Sequence, residues 1–282
     1  MKKLLLSIDN LETPPETNVR IIIVENDSKN LSENITREFS SKNKFTISYF
    51  LEPRQGIVFA RNRSVAEAGD CDFCCFTDDD QVVSPDWLVE LFKCQNEFNA
   101  DGVAGPTKPY FTKEVPIYIN NFLQPETYQY GTIVDYAFTG SLLIRKKCLD
   151  MLDGPFEPRL NFSGGEDLYL TRQITSLGGI IRFNPNAIAY EIIPENRTTI
   201  NYVIKRTFRT SNTEFLVKSI KDKNFKKIKS LPRLVMRFCY GLLIVVPLFI
   251  LGKAEKLKGL IKIINAVGGF SFIFGKQSHF YK

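Results

Sequence analysis

The feature that most constrains the fold is a succession of three short apolar runs, each followed by a helical pattern. The run VRIIIVEND (19–27) is continuously apolar before it turns polar, which is typical of a parallel strand buried on both faces. The runs FTISYF (45–50) and DFCCFT (72–77) follow, and after the third Ser84 is expected to cap a helix with Pro85 at its first position. Alternating strands and helices predict a doubly wound α/β sheet.

The beginning of the chain departs from that pattern. Residues 4–11 predict a helix that leads into the first strand, whereas a doubly wound sheet normally begins with a strand. After the first strand, Ser28 is expected to cap a helix whose apolar positions Leu31, Ile35 and Phe39 fall on one stripe. The sequence therefore predicts a sheet whose opening strand is missing.

Three consecutive aspartates, Asp78, Asp79 and Asp80, stand where the third apolar run stops. The triplet is either a solvated turn, since aspartate favours turns, or a site where a divalent cation offsets the crowded charge. Mg²⁺ and Mn²⁺ take oxygen ligands of this kind. Because ligands of doubly wound sheets bind at the carboxyl ends of strands, where the triplet and Glu25 both fall, the position favours a metal site.

A second acidic pair stands at the start of a predicted helix in the segment FSGGEDLYLTRQITSLGG (162–179). Gly164 and Gly165 come first, and Glu166 and Asp167 occupy the first helical turn. One acid there could simply compensate the helix dipole. Since neighbouring helical residues diverge by about 100°, the two acids cannot do the same job. We expect one to cap the helix and the other to face a pocket.

The positive charge is concentrated late in the chain, where eleven lysines and arginines from Lys205 to Arg237 stand against two acidic residues. Such a cluster suits nucleic acid or an anionic membrane surface. The apolar stretches 238–252 and 259–275 follow it, and the first is shorter than the roughly 20 residues of a membrane span. A buried helical hairpin is one interpretation. Membrane attachment from the cytoplasmic side, with no nucleic-acid partner, is the prediction.

The order of the segments ENDS, GIVFARN, FTDDD, PDWL, FTGSLLIR and GGEDLYLTRQ resembles bacterial family 2 glycosyltransferases with the GT-A fold. It resembles in particular the glucosyltransferases of succinoglycan-type exopolysaccharide synthesis. The resemblance implies a GT-A nucleotide-diphospho-sugar transferase domain over 1–200. The basic cluster and the apolar stretches that follow it predict a basic and apolar helical, membrane-associating tail over 201–282. Relative to the family, about 20 residues with the first strand are missing at the front.

The resemblance also implies a role for each matching residue. Asp80 and Asp78 would hold Mg²⁺ or Mn²⁺, and Asp167 would be the catalytic base with Glu166 beside it. Glu25 would recognise the nucleotide base. Donor binding as a whole would fall to Glu25, Arg61, Asn62, Asp78, Asp79, Arg206 and Arg209, and the acceptor side to Thr139 and Gly140.

The implied function is inverting transfer of a sugar from a nucleotide-sugar donor to a glycan or lipid-linked acceptor, at the cytoplasmic face of the bacterial inner membrane. A metal-dependent nucleotidyl- or phosphotransferase would also place carboxylates at a strand end, but it would not explain the second acidic pair. A third possibility is a truncated, catalytically weak membrane-bound homologue. An upstream segment encoding a strand would separate the first from the third.

Overall fold

The computed structural model describes residues 1–27, 30–40, 44–222, 225–245 and 253–278. The chain forms two compact units. The first comprises Met1–Tyr110, Pro125–Asn161 and Glu166–Ile192, and the second comprises Phe111–Gln124, Phe162–Gly165 and Ile193–Lys282. The last segment of the second unit begins at Ile193, and this unit also takes in two segments from the middle of the chain. The division into a catalytic domain over 1–200 and a membrane-associating tail over 201–282 stays a prediction.

Helices and strands alternate through the first two thirds of the described residues, and helices make up the rest. The helices are Lys2–Asp9 (α1), Glu33–Ser40 (α2), Ile57–Glu67 (α3), Trp87–Phe98 (α4), Ile117–Leu123 (α5), Lys146–Asp150 (α6), Glu166–Ser176 (α7), Ile200–Lys221 (α8), Leu231–Val245 (α9) and Lys253–Ile273 (α10). The strands are Arg20–Glu25 (β1), Thr46–Leu51 (β2), Phe73–Phe76 (β3), Gln81–Val83 (β4), Gly102–Ala104 (β5), Thr107–Phe111 (β6), Leu142–Arg145 (β7), Ile181–Phe183 (β8) and Ala189–Ile193 (β9).

The described strands form three sheets. β1 and β2 pair in parallel, with Arg20 opposite Thr46. The second sheet has the order β3-β7-β5-β8, in which β7 runs antiparallel to β3 and β5 while β5 and β8 are parallel. The third has the order β4-β9-β6. The α/β class is confirmed, and β7 adds an antiparallel strand to the expected parallel pattern.

The side chains of β7 show that its sheet is covered on both faces. Leu143 belongs to one hydrophobic cluster, which also contains Trp87 and Leu91 of α4. Leu142 and Ile144, its neighbours along the strand, belong to a second cluster, with Val58 of α3 and Leu170 of α7. Because successive strand residues point to opposite faces, helices pack on either side of the sheet. The carboxyl end of β3 is held between these layers.

Helix α4 begins later than the sequence predicted. Ser84 was expected to cap it, yet the helix starts at Trp87, with Asp86 before it. The Ser84 N–H donates to the Ile188 carbonyl at 3.0 Å, and this bond keeps Ser84 in line with the preceding strand. The Ser84 carbonyl in turn accepts the Trp87 N–H at 3.0 Å. The turn through Pro85 is therefore part of the strand-to-helix connection.

Helix α2 also differs from its prediction. It begins at Glu33, so Leu31 precedes it, and Leu31 is exposed instead of contributing to a buried stripe. The expected cap, Ser28, lies outside the described residues. The backbone N–H groups of Leu31 and Ser32 donate to the Glu25 carboxylate, so this acid organises the approach to the helix.

The second unit has its own hydrophobic core. Ile119 and Leu123 of α5 lie in one cluster with Ile193, Val203 of α8 and Leu257 of α10. This packing explains why the mid-chain helix α5 joins the late helices instead of the sheets.

Helices α9 and α10 pack closely against each other. A Cβ atom at Gly241 would lie 2.7 Å from Ile263 Cγ1, so the glycine is what permits this separation. The apolar stretch 259–275 falls mostly in α10, which packs against both α8 and α9. The stretch 238–252 lies partly outside the described residues. Among the helices that the structure describes, none is long and apolar enough to cross a lipid bilayer.

Candidate active site

The acidic triplet forms the turn between β3 and β4, and a buried amide supports it. Gln81 Oε1 accepts the Thr77 hydroxyl at 2.8 Å and the Asp78 N–H at 3.2 Å. Its Nε2 lies 3.5 Å from Asp78 Oδ2. Gln81 therefore fixes both the backbone and the side chain at the first aspartate. Sequence reasoning missed this residue, although an amide directly after the triplet, at the start of a buried strand, was a usable signal.

Arg61 of α3 joins the acidic turn to the start of α7. Its Nη2 donates to Asp78 Oδ1 at 2.9 Å, and its Nη1 donates to Glu166 Oε1. Burial alone would lower the pKa of Arg61, but the carboxylates of Asp78, Glu166 and Asp167 raise it above its usual value. The predicted donor residue Arg61 is thus a largely buried cation held between two predicted functional segments.

The two acids at the start of α7 have different environments, as the helical geometry predicted. Glu166 is buried: its Oε1 binds Arg61, and its Oε2 has no hydrogen-bond partner among the described residues. Asp167 is only partly buried, and its Oδ1 accepts the Leu168 N–H at 2.7 Å. Burial and the Glu166 carboxylate raise the pKa of Asp167 to about 7, although Arg61 and the Leu168 N–H oppose the change.

The raised pKa of Asp167 predicts a pH-dependent stability. A carboxyl that binds its proton more tightly in the folded state stabilises the fold at low pH and loses that effect as the pH rises through about 7. The Asp167→Asn variant lacks this titration. The melting temperature of Asp167→Asn minus that of wild type should therefore rise by about 3 °C or more from pH 5 to pH 8, when both proteins are measured in EDTA.

The matched control for this measurement is Asp153→Asn, at an exposed aspartate of the same unit. It should keep the same difference from wild type at both pH values. A melting-temperature difference for Asp167→Asn that is equally constant would contradict the raised pKa.

Thr139 and Gly140, predicted for the acceptor side, lie in a buried 3₁₀ turn at 139–141. A Cβ atom at Gly140 would lie 2.5 Å from Gln81 Nε2 and 2.7 Å from Thr107 Oγ1. Glycine is therefore what lets this turn approach the amide that supports the acidic triplet. The hydroxyl of Thr139 is buried and has no hydrogen-bond partner among the described residues.

Thr171 of α7 links the same segment to the predicted base. Its Oγ1 accepts the Ala137 N–H at 3.1 Å and donates to the Asp167 carbonyl at 2.9 Å. The side chain is fully buried. The chain that leads into the 139–141 turn is therefore fixed to the first turn of α7.

Glu25 lies at the end of β1 with both carboxylate oxygens engaged. Oε1 accepts the Leu31 N–H at 2.8 Å, and Oε2 accepts the Ser32 N–H at 2.9 Å and the Tyr49 hydroxyl at 2.7 Å. Burial and the Glu25 carboxylate raise the pKa of Tyr49 to about 12. Glu25 thus anchors the loop ahead of α2, and its recognition of a nucleotide base stays a prediction.

The remaining predicted donor residues are Asn62 and the two late arginines, Arg206 and Arg209. Asn62 Oδ1 accepts the Phe156 N–H at 3.0 Å, and its Nδ2 donates to the Phe156 carbonyl at 2.8 Å. Asn62 therefore holds a loop whose Phe156 ring lies under Arg61, 5.7 Å from ring centroid to guanidinium. Arg206 and Arg209 belong to α8 in the second unit, and their approach to a diphosphate stays a prediction.

The carboxylates of the acidic turn would suit a cation whose remaining ligands come from the substrate. No group of three or more histidine, cysteine, aspartate or glutamate side chains suited to a metal occurs in the described part of the chain. Mg²⁺ is commonly bound by one or two carboxylates plus substrate phosphates. Asp78 and Asp80 supply such a pair on one turn, and Asp80 is partly buried there.

Comparison with known proteins places the fold and the site in context. A model of Glycosyl transferase family 2 matches residues 1–150. The chain belongs to this family. The succinoglycan biosynthesis protein ExoM of Rhizobium meliloti (strain 1021) is 28% identical over 211 residues, which cover 74% of this chain and 68% of ExoM.

Two solved structures share the fold of this family 2 glycosyltransferase. The mannosyltransferase PcManGT from Pyrobaculum calidifontis, in complex with GDP-Man and Mn²⁺, has a TM-score of 0.65 at 14% identity, over 97% of this chain and 83% of that one. S. aureus TarS 1–349 in complex with UDP has a TM-score of 0.56 at 15% identity, over 97% and 87% of the two chains. The predicted GT-A fold is confirmed, and family membership decides against the phosphotransferase alternative.

Proposed function

We propose that this glycosyltransferase is inverting and metal-dependent, and that it moves a sugar from a nucleoside diphosphate to a hydroxyl of a lipid-linked or polysaccharide acceptor. The observation that carries the proposal is Arg61, whose guanidinium joins Asp78 of the acidic turn to Glu166 beside the proposed base. The comparisons support it, since ExoM is a succinoglycan biosynthesis protein and the PcManGT structure contains GDP-Man with Mn²⁺.

The proposed chemistry uses one base and one displacement. Asp167 takes the proton of the acceptor hydroxyl as that oxygen bonds to the anomeric carbon. The bond from this carbon to the diphosphate breaks, and its electron pair leaves on the diphosphate oxygen. A single displacement inverts the configuration, so neither a carboxylate nucleophile nor a leaving-group acid is needed.

The metal and the donor would be held by residues already described. Asp80 and Asp78 would hold Mg²⁺ or Mn²⁺, which when bound supplies a Lewis acid that offsets charge on the departing diphosphate. The guanidinium forks of Arg206 and Arg209 suit the diphosphate. The nucleotide would contact Glu25, Arg61, Asn62 and Asp79, and the acceptor would lie against Thr139 and Gly140.

The experiment that tests the proposal is a calorimetric screen of nucleotide sugars with Mn²⁺, on this chain and on a form extended upstream by a strand. We expect one donor class to bind, and EDTA to abolish the binding. If no donor binds to either folded form, the proposal is wrong. Binding of a donor by both forms would count against the alternative of a truncated, catalytically weak homologue.

We also place the protein at the cytoplasmic face of the bacterial inner membrane. The basic residues between Lys205 and Arg237 support this location, because they suit an anionic lipid surface. Lipid-linked acceptors are found at that membrane surface.

A further inference from the structure

Helix α9 of the second unit has one buried side and one exposed apolar side. Leu234 and Gly241 are buried, and Gly241 lies against α10. Exposed residues recur every three to four positions along the other side, which is the spacing of a single helical stripe. We call this stripe the outer face of α9, and it comprises Val235, Met236, Cys239, Leu242 and Leu243.

The outer face is apolar to a degree that is unusual for an exposed surface. Leu243 is 72% exposed and Met236 is 67% exposed. Contiguous exposed apolar patches on soluble proteins mark sites of contact with a partner or a membrane. The chemistry of the neighbouring residues identifies which of these the face suits.

The neighbouring residues are cationic. Helix α9 contains no aspartate or glutamate, and Arg233 in its first turn is exposed. The preceding segment adds Lys226, Lys227 and Lys229, all exposed. Apolar side chains flanked by lysine and arginine, with no acid between them, are complementary to the interface of an anionic bilayer. A second protein copy would bring the same positive charges and would be repelled.

We propose that the outer face of α9 binds the surface of an anionic lipid bilayer, with the helix lying in the plane of the interface. The described part of α9, which has 15 residues, is about 22 Å long and is shorter than a hydrocarbon core of about 30 Å. Its inner side is already occupied, because Arg237 donates to Asn265 of α10 and Gly241 packs against Ile263. Lipid contact by this face deepens the proposed location at the inner membrane, on which it rests, and it does not depend on the proposed sugar transfer.

The test is flotation of the full chain with vesicles of phosphatidylcholine and phosphatidylglycerol. Leu243→Glu should lower the partition coefficient of the protein between vesicles and buffer by about tenfold, because it places a charge in the apolar stripe. The matched control is Ile117→Glu on α5, since Ile117 is also 72% exposed. This control should bind vesicles like wild type. Vesicles without phosphatidylglycerol should bind the wild type more weakly, because the cations then lack a partner.

Each other outcome overturns the proposal. Flotation of Leu243→Glu at the wild-type level would exclude lipid contact by the outer face of α9. An equal loss of vesicle binding in Ile117→Glu would show that the outer face has no specific role in that binding. If light scattering shows a dimer that Leu243→Glu dissociates, and the wild type does not bind vesicles, the face contacts a second copy of the chain.

If Leu243→Glu fails to melt cooperatively, Met236→Glu decides in its place. Calorimetric donor binding by the same variants should be unchanged, which keeps this test separate from that of the sugar transfer.

Discussion

Replacing Asp167 with asparagine is expected to lower the rate of sugar transfer by a factor of about 10² to 10⁴ while donor affinity stays nearly unchanged. The physical reason is that asparagine cannot take the proton of the acceptor hydroxyl, whereas the donor contacts assigned above do not include Asp167. Initial rates with saturating acceptor measure the first quantity, and calorimetry with Mn²⁺ measures the second.

The informative comparison is Glu166→Gln, which changes the neighbouring acid. Glu166 is buried against Arg61, so Glu166→Gln should lower the melting temperature. Its effect on the rate of sugar transfer should be smaller than that of Asp167→Asn. Asp153→Asn, at an exposed aspartate of the same unit, should change neither quantity. If Glu166→Gln is inactive and Asp167→Asn is active, the roles of the two acids are reversed.

Replacing Asp80 with asparagine is expected to weaken Mn²⁺-dependent UDP binding by about tenfold or more, which corresponds to about 1.4 kcal/mol. An amide oxygen is a poorer ligand for Mn²⁺ than a carboxylate, because it brings no negative charge. Calorimetric titration of UDP with and without Mn²⁺ measures the effect.

Asp86→Asn is the matched control for this variant, since Asp86 is exposed and lies six residues further along the chain. It should titrate like the wild type. Superimposable curves for Asp80→Asn and wild type in Mn²⁺ would remove Asp80 from the metal site.

The sequence was sufficient for the features that depend on local periodicity. The three apolar runs correspond to β1, β2 and β3, and the acidic triplet lies at the end of β3, as the strand-helix alternation required. The two acids of α7 also differ in environment, because helical geometry separates neighbouring side chains. Each of these predictions needs only the spacing of residues within one segment.

The features that the sequence did not predict depend on contacts between distant segments. Arg61 binds Asp78, 17 residues away, and Glu166, 105 residues away. Asn62 holds Phe156 across 94 residues. No periodicity encodes such a pairing, because it exists only once helices α3 and α7 have packed on the same sheet. The start of α4 was misplaced for the same reason, since the bond from Ser84 reaches Ile188.

The position of Arg61 would make cation binding at the acidic turn and proton binding by Asp167 mutually dependent. Its single positive charge acts on Asp78 and on both acids of α7. A cation held by Asp78 would compete with Arg61 for that carboxylate and would add positive charge near the α7 acids, so Asp167 would bind its proton less tightly. By thermodynamic reciprocity, loss of this proton must strengthen cation binding by the same factor. A bound cation would therefore favour the deprotonated form of Asp167, whose pKa of about 7 leaves it only partly deprotonated at neutral pH in the absence of the cation.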